Sequence, residues 1–489
     1  MVRRRVWQAL RRWSAVWLAA LALGELGLYM LVRAWGAAPH LDAMMAVFAV
    51  QFVLYAFAIV VSQAGRVERS PDDLEGAAPP EEGMLRFAQH AAVVRDHLRR
   101  SGRRHPSLAL LVIVGAAVAF RVVMGSAFPS LSSDMFRYVW DGRVQAAGIS
   151  PYAYPPRAPE LTPLRDATVW PLINRKDSVT IYPPGAELAF RAVYQWLGDG
   201  IWPVKAVMVA ADLGTLLLLL LLLQSLGQPL SLIIIYAWHP LAVYEIAGSA
   251  HVEALMLVCL ALALLAARRR WDTVAGVALA AATLIKLFPV LLLPALWWRR
   301  SWRLPAAFAV MVVVAVYPYR ASGLGIITYY PVYLREVFNM SAAAVLGESL
   351  RLLGVSDSYR VVQLVLLALV GGLALWHLLR PAKGEQEYLA RCFTIIAALT
   401  LGSQFLQPWY VLWLLPFLTT LWPWSAPSVT HRVLSVTMWL AWFIFSGTVF
   451  LSYHYYIGER YSVPFVAAEY LPLYLLLVAT WLLHLARSL

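Results

Sequence analysis

The segment SSDMFRYVWDGRVQAAGISPYAYPP, Ser132 to Pro156, puts acids and a guanidinium on one face of a short helix in a chain that is otherwise largely apolar. At about 100° per residue, Asp134, Arg137, Tyr138, Asp141 and Gln145 share a narrow sector, and Met135, Phe136, Val139, Trp140 and Ala147 lie on the other side. Such a helix is expected to rest in the membrane interface with its acids turned to water. A carboxylate held there equips a membrane protein for chemistry at the bilayer surface, although a plain interfacial connector has the same pattern. Arg143 falls in the apolar sector, which requires its stem to snorkel.

Charged groups at membrane depth are costly, so each is a functional candidate. Lys286 lies within AAATLIKLFPVLLLP with no acid near it in sequence. Beside a proline-broken helix it could bind a lipid phosphate, or it could snorkel or pair with a structural acid. His239, Glu245, His251 and Glu253 crowd into WHPLAVYEIAGSAHVEALM. His251 and Glu253 are two residues apart and diverge by about 200° on a helix, so they do not form a chelating pair. They read as an orienting or acceptor-binding pair at a helix start, or as a capping cluster. Asp212 reads as a structural interhelix hydrogen-bonder. Tyr182-Pro183-Pro184 and Gln407-Pro408-Trp409-Tyr410 set aromatics and a helix-starting proline at apolar boundaries, suited to stacking on sugar faces or to a membrane belt.

The elements that must position these groups are membrane spans. The 489 residues are 61% hydrophobic and 14% charged, with a mean hydropathy of +0.66, which excludes a soluble globule. The net charge of +13 sits in short connectors beside apolar runs, so it reports topology and anionic lipid, with no nucleic-acid partner implied. The two cysteines, Cys259 and Cys392, fall within expected spans and have no metal-type spacing.

Spans of about 20 residues are expected near 13–34, 41–63, 106–125, 202–223, 230–246, 251–267, 303–317, 358–380, 388–406, 409–421, 433–452 and 464–486. The stretches 183–197 and 273–298 are harder to assign, the second being broken at Pro289. The basic start reads as an uncleaved signal anchor. The expected organisation is an N-terminal pair of helices in 1–65, a cytoplasmic loop in 66–105, and a transmembrane domain in 106–489 with a first extracytoplasmic loop over 126–182. Basic connectors put both termini in the cytoplasm.

The run D-M-F-R-Y-V-W-D-G-R followed by S-P-Y, then YPP at 182–184, HPL…E…GSAHVE at 239–253, KLFPVLLLP at 286–294 and QPWY at 407–410, resembles the GT-C-fold membrane glycosyltransferases that use polyprenyl-phosphate sugars. The likeness is to the bacterial mannosyltransferase-like branch and spans about 106–460. Ser150 stands where that branch commonly has Asn, and a single acid before the arginine leaves metal dependence open; no cofactor is expected otherwise. The resemblance implies an all-α polytopic GT-C-like bundle of about 12–14 helices in the bacterial cytoplasmic membrane, with an extracytoplasmic active site. It also implies inversion at the anomeric carbon, with Asp134 as base. Lys286, with Arg137 and Arg143 as helpers, would meet the departing phosphate. Asp141, Tyr138, Tyr182, His251, Glu253, Gln407, Trp409 and Tyr410 would bind acceptor or sugar. The partners implied are a polyprenyl-phosphate-linked donor, a glycan or lipid acceptor, and membrane lipid. Mannose is the guess by analogy. A lipid-linked sugar transporter or flippase, or a glycan polymerase or ligase of similar architecture, is the competing reading.

Overall fold

A computed structural model describes residues 13–36, 40–63, 107–322, 341–404, 406–423, 429–457 and 463–488. The expected cytoplasmic loop at 66–105 and the basic start of the signal anchor lie outside the described residues. Within them every regular element is helical. Helices longer than ten residues, numbered in chain order, are α1 Ser14–Ala34, α2 Leu41–Gln63, α3 Leu108–Gly125, α4 Asp134–Ala146, α5 Pro184–Leu197, α6 Ile201–Ser225, α7 Glu253–Arg269, α8 Asp272–Ile285, α9 Arg303–Val316, α10 Ala342–Leu352, α11 Ser358–Leu379, α12 Glu385–Gly402, α13 Val429–Thr448 and α14 Val463–Ser488.

Among the described residues, seven helical stretches are long and apolar enough to cross a membrane, and an eighth candidate is bent by 57° between Leu230–Ala237 and Pro240–Gly248. The chain is an all-helical polytopic membrane protein. The difficult stretch at 183–197 is α5, whose 14 residues fall short of a crossing and pack against α4 and α6. The stretch at 273–298 is α8, an extended break at Lys286, and a short 3₁₀ turn at Phe288–Leu292. Proline at 289 denies the break a continuous hydrogen-bond ladder.

The bent segment lies at the centre of the bundle, with side chains from Leu232 to Ala247 all but excluded from solvent. Pro240 starts its second half, and His239 Nδ1 caps it by accepting from the Leu241 amide at 3.2 Å. His239 Nε2 contacts Ser446 Oγ at 2.9 Å, so this histidine serves structure. A buried ion pair ties the segment to its neighbours. Arg121 on α3 donates from Nε to Asp212 on α6 at 2.6 Å and from Nη1 to the Ala237 carbonyl at 2.7 Å. The Tyr236 hydroxyl donates to the other Asp212 oxygen. Asp212 is thus the interhelix hydrogen-bonder that its sequence position suggested, and Arg121 is its partner.

The acidic helix α4 differs from expectation. Every residue from Met135 to Gln145 is buried, and no face is left for water. The loop from 147 to 182 folds over it and α5 closes its other side. Gly142 permits the close approach, since a Cβ there would stand 2.6 Å from the Phe190 carbonyl oxygen. Arg143 does not snorkel. It donates to Asp199 at 2.8 Å, to Asp166 at 3.0 Å and to the Leu164 carbonyl at 3.0 Å. Desolvation pushes the Asp166 carboxyl up, but Arg143 and the Trp170 and Val169 amides outweigh it and hold the carboxyl well below its ordinary value.

Replacing Asp212 by Asn would leave Arg121 buried without a counter-charge, a loss of about 3–5 kcal/mol. Thermal unfolding in detergent should show a clearly lower midpoint for Asp212→Asn, and a smaller loss for Arg121→Met combined with Asp212→Leu. An unchanged midpoint for Asp212→Asn would contradict the assignment.

Candidate active site

The start of α7 and the end of α8 meet at one end of the bundle, where α4 brings Asp134 toward His251 and Tyr138 toward Val252. Helices α7 and α8 run antiparallel, so Glu253 at the start of one faces Lys286 at the end of the other, Nζ to Oε1 3.0 Å. The Lys286 backbone is extended (φ −139°, ψ 132°), which projects its side chain sideways from the broken helix. An ammonium that had no acid near it in sequence therefore has a fully buried carboxylate in space. Its Nζ also lies 5.0 Å from the ring centre of Tyr410, a cation–π contact.

The backbone before α7 departs from regular helix. Val243–Gly248 is a π-turn, and Ala250 takes a left-handed conformation at φ +58° although it is not glycine. Both features concentrate at functional sites, because ordinary packing does not favour them. Together they fold the chain back so that the His251 amide donates to the Glu245 carbonyl at 3.0 Å and His251 Nε2 lies 3.3 Å from Glu245 Oε2. The Glu245 carboxylate accepts from Tyr453 at 2.8 and 3.0 Å. On its other side, His251 Nδ1 stands 3.8 Å from Asp134 Oδ2. The imidazole stacks on Trp409, with centroids 3.9 Å apart.

Asp134 opens α4. Asn174 donates to its Oδ1 at 2.6 Å, and the Tyr182 hydroxyl lies within hydrogen-bond reach of the same carboxyl. Desolvation pushes its pKa above the ordinary 3.8; the Lys286 ammonium, Asn174, Arg175 and Tyr182 oppose that rise. The side chain is 21% exposed, so the carboxyl is reachable from outside while the groups behind it are sealed.

A second shell supports this one. Arg137 pairs with Asp141 at 2.9 Å and donates to the carbonyls of Ser178 at 3.2 Å and Arg175 at 3.3 Å. That bracket fixes the loop carrying Asn174. Asp141 faces Arg137, away from water, which corrects the expected solvated face. The buried Glu187 carboxyl accepts from Thr180 at 2.6 Å and Gln145 at 2.9 Å. Burial, then the charge on Asp141, pushes the Glu187 pKa well up. The Tyr138 ring stacks on Phe190 at 4.5 Å, and its hydroxyl accepts from the Val252 amide at 3.4 Å.

Of the residues singled out from sequence, the structure brings Asp134, Tyr138, Tyr182, His251, Glu253, Lys286, Trp409 and Tyr410 into one cluster. Gln407 immediately precedes the Trp409 and Tyr410 turn and is buried with its Oε1 unpaired. Arg137 and Asp141 form the bracket behind Asp134, with one guanidinium nitrogen, Nη2, lacking a partner. Arg143, on α4, is engaged by Asp166 of the covering loop and by Asp199 after α5. Glu245 was visible as a charge near the others, but nothing in the sequence assigned it to the site. Asn174 and Tyr453 carried no signal, since they reach Asp134 and Glu245 only through the fold. Among the described residues, no set of three or more His, Cys, Asp or Glu side chains is arranged to hold a metal ion.

The cluster can do three things chemically. A partly exposed carboxyl can take a proton, an ammonium at its side can stabilise an anion, and stacked aromatic rings can hold a flat apolar face. Neither His251 nitrogen completes an aligned hydrogen bond, and the buried Gln407 Oε1 is likewise without one. No curated protein matches the chain. The family model described as Glycosyltransferase family 87 matches residues 180–408, a span that holds Tyr182, Glu245, His251, Glu253, Lys286 and Gln407 and begins after Asp134. That match supports glycosyltransferase activity in general.

Proposed function

We propose that the protein transfers a hexose, mannose being the first candidate, from a polyprenyl-phosphate donor to a glycan or lipid acceptor, with inversion at the anomeric carbon. The observation that carries this reading is the placement of one reachable carboxyl, Asp134, within the field of one ammonium, Lys286, in a cluster sealed behind them. A lipid-borne donor suits a site built at one end of apolar helices. The basic connectors favour an orientation with that end outside the cytoplasm, where nucleotide sugars are absent.

In the reaction, the acceptor hydroxyl gives its proton to Asp134 as its oxygen bonds the anomeric carbon. The bond from that carbon to the phosphate oxygen breaks, and the phosphate leaves with the electron pair. Lys286 meets the charge that develops there, drawn partly from Glu253 toward the stronger anion. The aromatic rings of Trp409, Tyr410 and Tyr182 suit the apolar faces of a sugar. The Asp141–Arg137 bracket keeps Asn174, and through it the base, in place. No metal is assigned a part.

Asp134→Asn keeps the shape of the base and removes its lone-pair basicity. Transfer of radiolabelled sugar from a polyprenyl-phosphate donor to acceptor in proteoliposomes should fall by about 10²–10⁴, with folding in detergent intact. Near-normal turnover would remove Asp134 from the role, and label crossing the bilayer without joining an acceptor would favour a carrier.

Lys286→Ala should weaken donor binding by about tenfold to a hundredfold, the value of a charge-assisted hydrogen bond. An effect confined to acceptor affinity would contradict the phosphate assignment.

Because the base must be ionised, kcat should fall as pH drops through the Asp134 pKa. Burial raises that pKa above 3.8, so the acid limb should lie above the range of a free aspartate, and it should vanish with Asp134→Asn. A profile that is flat in acid for the unaltered protein would contradict this.

A further inference from the structure

Behind Asp134 stands a row of buried polar groups that sugar transfer as described does not use. Asp134 Oδ2 faces His251 Nδ1 at 3.8 Å, His251 Nε2 faces Glu245 Oε2 at 3.3 Å, and both Glu245 oxygens accept from Tyr453 at 2.8 and 3.0 Å. His251, Glu245 and Tyr453 are each fully buried. The charged and titratable groups around the imidazole come from four places: Asp134 on α4, Glu245 on the π-turn, Glu253 at the start of α7, and Lys286 after α8.

The row is built at a cost. His251 and Glu245 are six residues apart, and a regular helix would not set their side chains face to face. The π-turn at Val243–Gly248 and the left-handed Ala250 achieve it, and strain of this kind persists only where the surroundings over-determine it. Stacking on Trp409 then fixes the ring plane, so the two nitrogens address the two carboxyls and nothing else.

The geometry points to Glu245 as a positioning residue that orients His251 to receive the proton collected by Asp134 during transfer. This rests on the glycosyl transfer proposed above. The imidazole directs its Nε2–H toward Glu245 and leaves the Nδ1 lone pair toward Asp134. While Asp134 is ionised, two electron-rich atoms face each other, which agrees with the 3.8 Å gap and the absence of an aligned bond. Once Asp134 has taken the acceptor's proton, its O–H can close that gap and pass the proton to Nδ1. The imidazolium then lies against the Glu245 carboxylate, and Asp134 is again ionised while the products are still bound. After release, the proton returns through Asp134, the only member of the row that reaches solvent. The effect is to keep the proton from recombining with the departing phosphate or with the new glycosidic oxygen. Burial, then the Lys286 ammonium, holds the His251 pKa well below 6.5, so the imidazole is neutral at the start and the imidazolium formed on transfer depends on the Glu245 side chain to offset that cost.

The test is Glu245→Gln, which keeps shape and the Tyr453 contact but cannot balance an imidazolium. Sugar transfer by the full-length protein in proteoliposomes should show kcat lower by about tenfold to a hundredfold, as when the partner that orients a functional histidine is lost, with donor KM within about twofold of the unaltered protein. Without the carboxylate His251 becomes less basic, so the acid limb of kcat should also move to lower pH. Tyr453→Phe removes the hydrogen bond at the far end of the row and should move both quantities in the same direction by a smaller factor; it serves as the test if Glu245→Gln does not fold. An unchanged kcat and an unchanged pH profile in these variants would overturn the relay, as would a loss that falls on KM alone. If Asp134→Asn is inactive while Glu245→Gln behaves like the unaltered protein, the relay fails and the base stands. If Asp134→Asn still turns over, the proposed transfer fails first.

Discussion

One ammonium among buried carboxyls sets the terms for this end of the molecule. Lys286 faces Glu253 at 3.0 Å and acts on Asp134 through space, with Glu245 behind His251 nearby. In a desolvated setting like charges do not all ionise together, and each removed partner leaves a costly orphan. The lysine favours the charged form of the acids nearest it, Glu253 and Asp134. Asp134 alone among them has an opening to solvent, so it alone can exchange a proton with an arriving molecule.

Positions in this cluster depend on breaks in helix regularity. The extended backbone at Lys286, the π-turn ending at Gly248, the left-handed Ala250 and the proline-led turn at Pro408 each point a side chain where a straight span would not. In a membrane such breaks are tolerated where they are buried in protein. The Arg121–Asp212 pair and its bond to the Ala237 carbonyl hold the bent central segment against α3 and α6. Structural charge deep in the bundle thereby permits irregular backbone at its end.

Much of this was legible in sequence, for a physical reason. Spans announce themselves by length and apolarity, and charges within them stand out against that background, which is why Asp134, Lys286, His251 and Glu253 could be named before any coordinates. Their pairing could not be read. Lys286 and Glu253 are brought together by two antiparallel helices, and Asn174 reaches Asp134 from a proline-rich loop with no periodicity. The amphipathic pattern of α4 misled in one respect. A sector of acids and arginine reads as a wet face, yet here Arg137 and Asp141 satisfy each other and loop carbonyls, so the polar side is buried against the protein's own covering loop. Arg143, which lies in the apolar sector of the helical wheel, anchors that same loop through Asp166 and the turn between α5 and α6 through Asp199.

The most direct measurement is a cryo-electron microscopy structure of the full-length protein with a short-chain polyprenyl phosphate bound. The phosphate should lie within hydrogen-bond distance of Lys286 Nζ, with the Asp134 carboxyl across the space where the sugar carbon would sit and the aromatic pair Trp409 and Tyr410 lining that space. A phosphate held elsewhere, with Lys286 still closed on Glu253 and Asp134 facing no part of the ligand, would contradict the assignment of this cluster as the site of transfer.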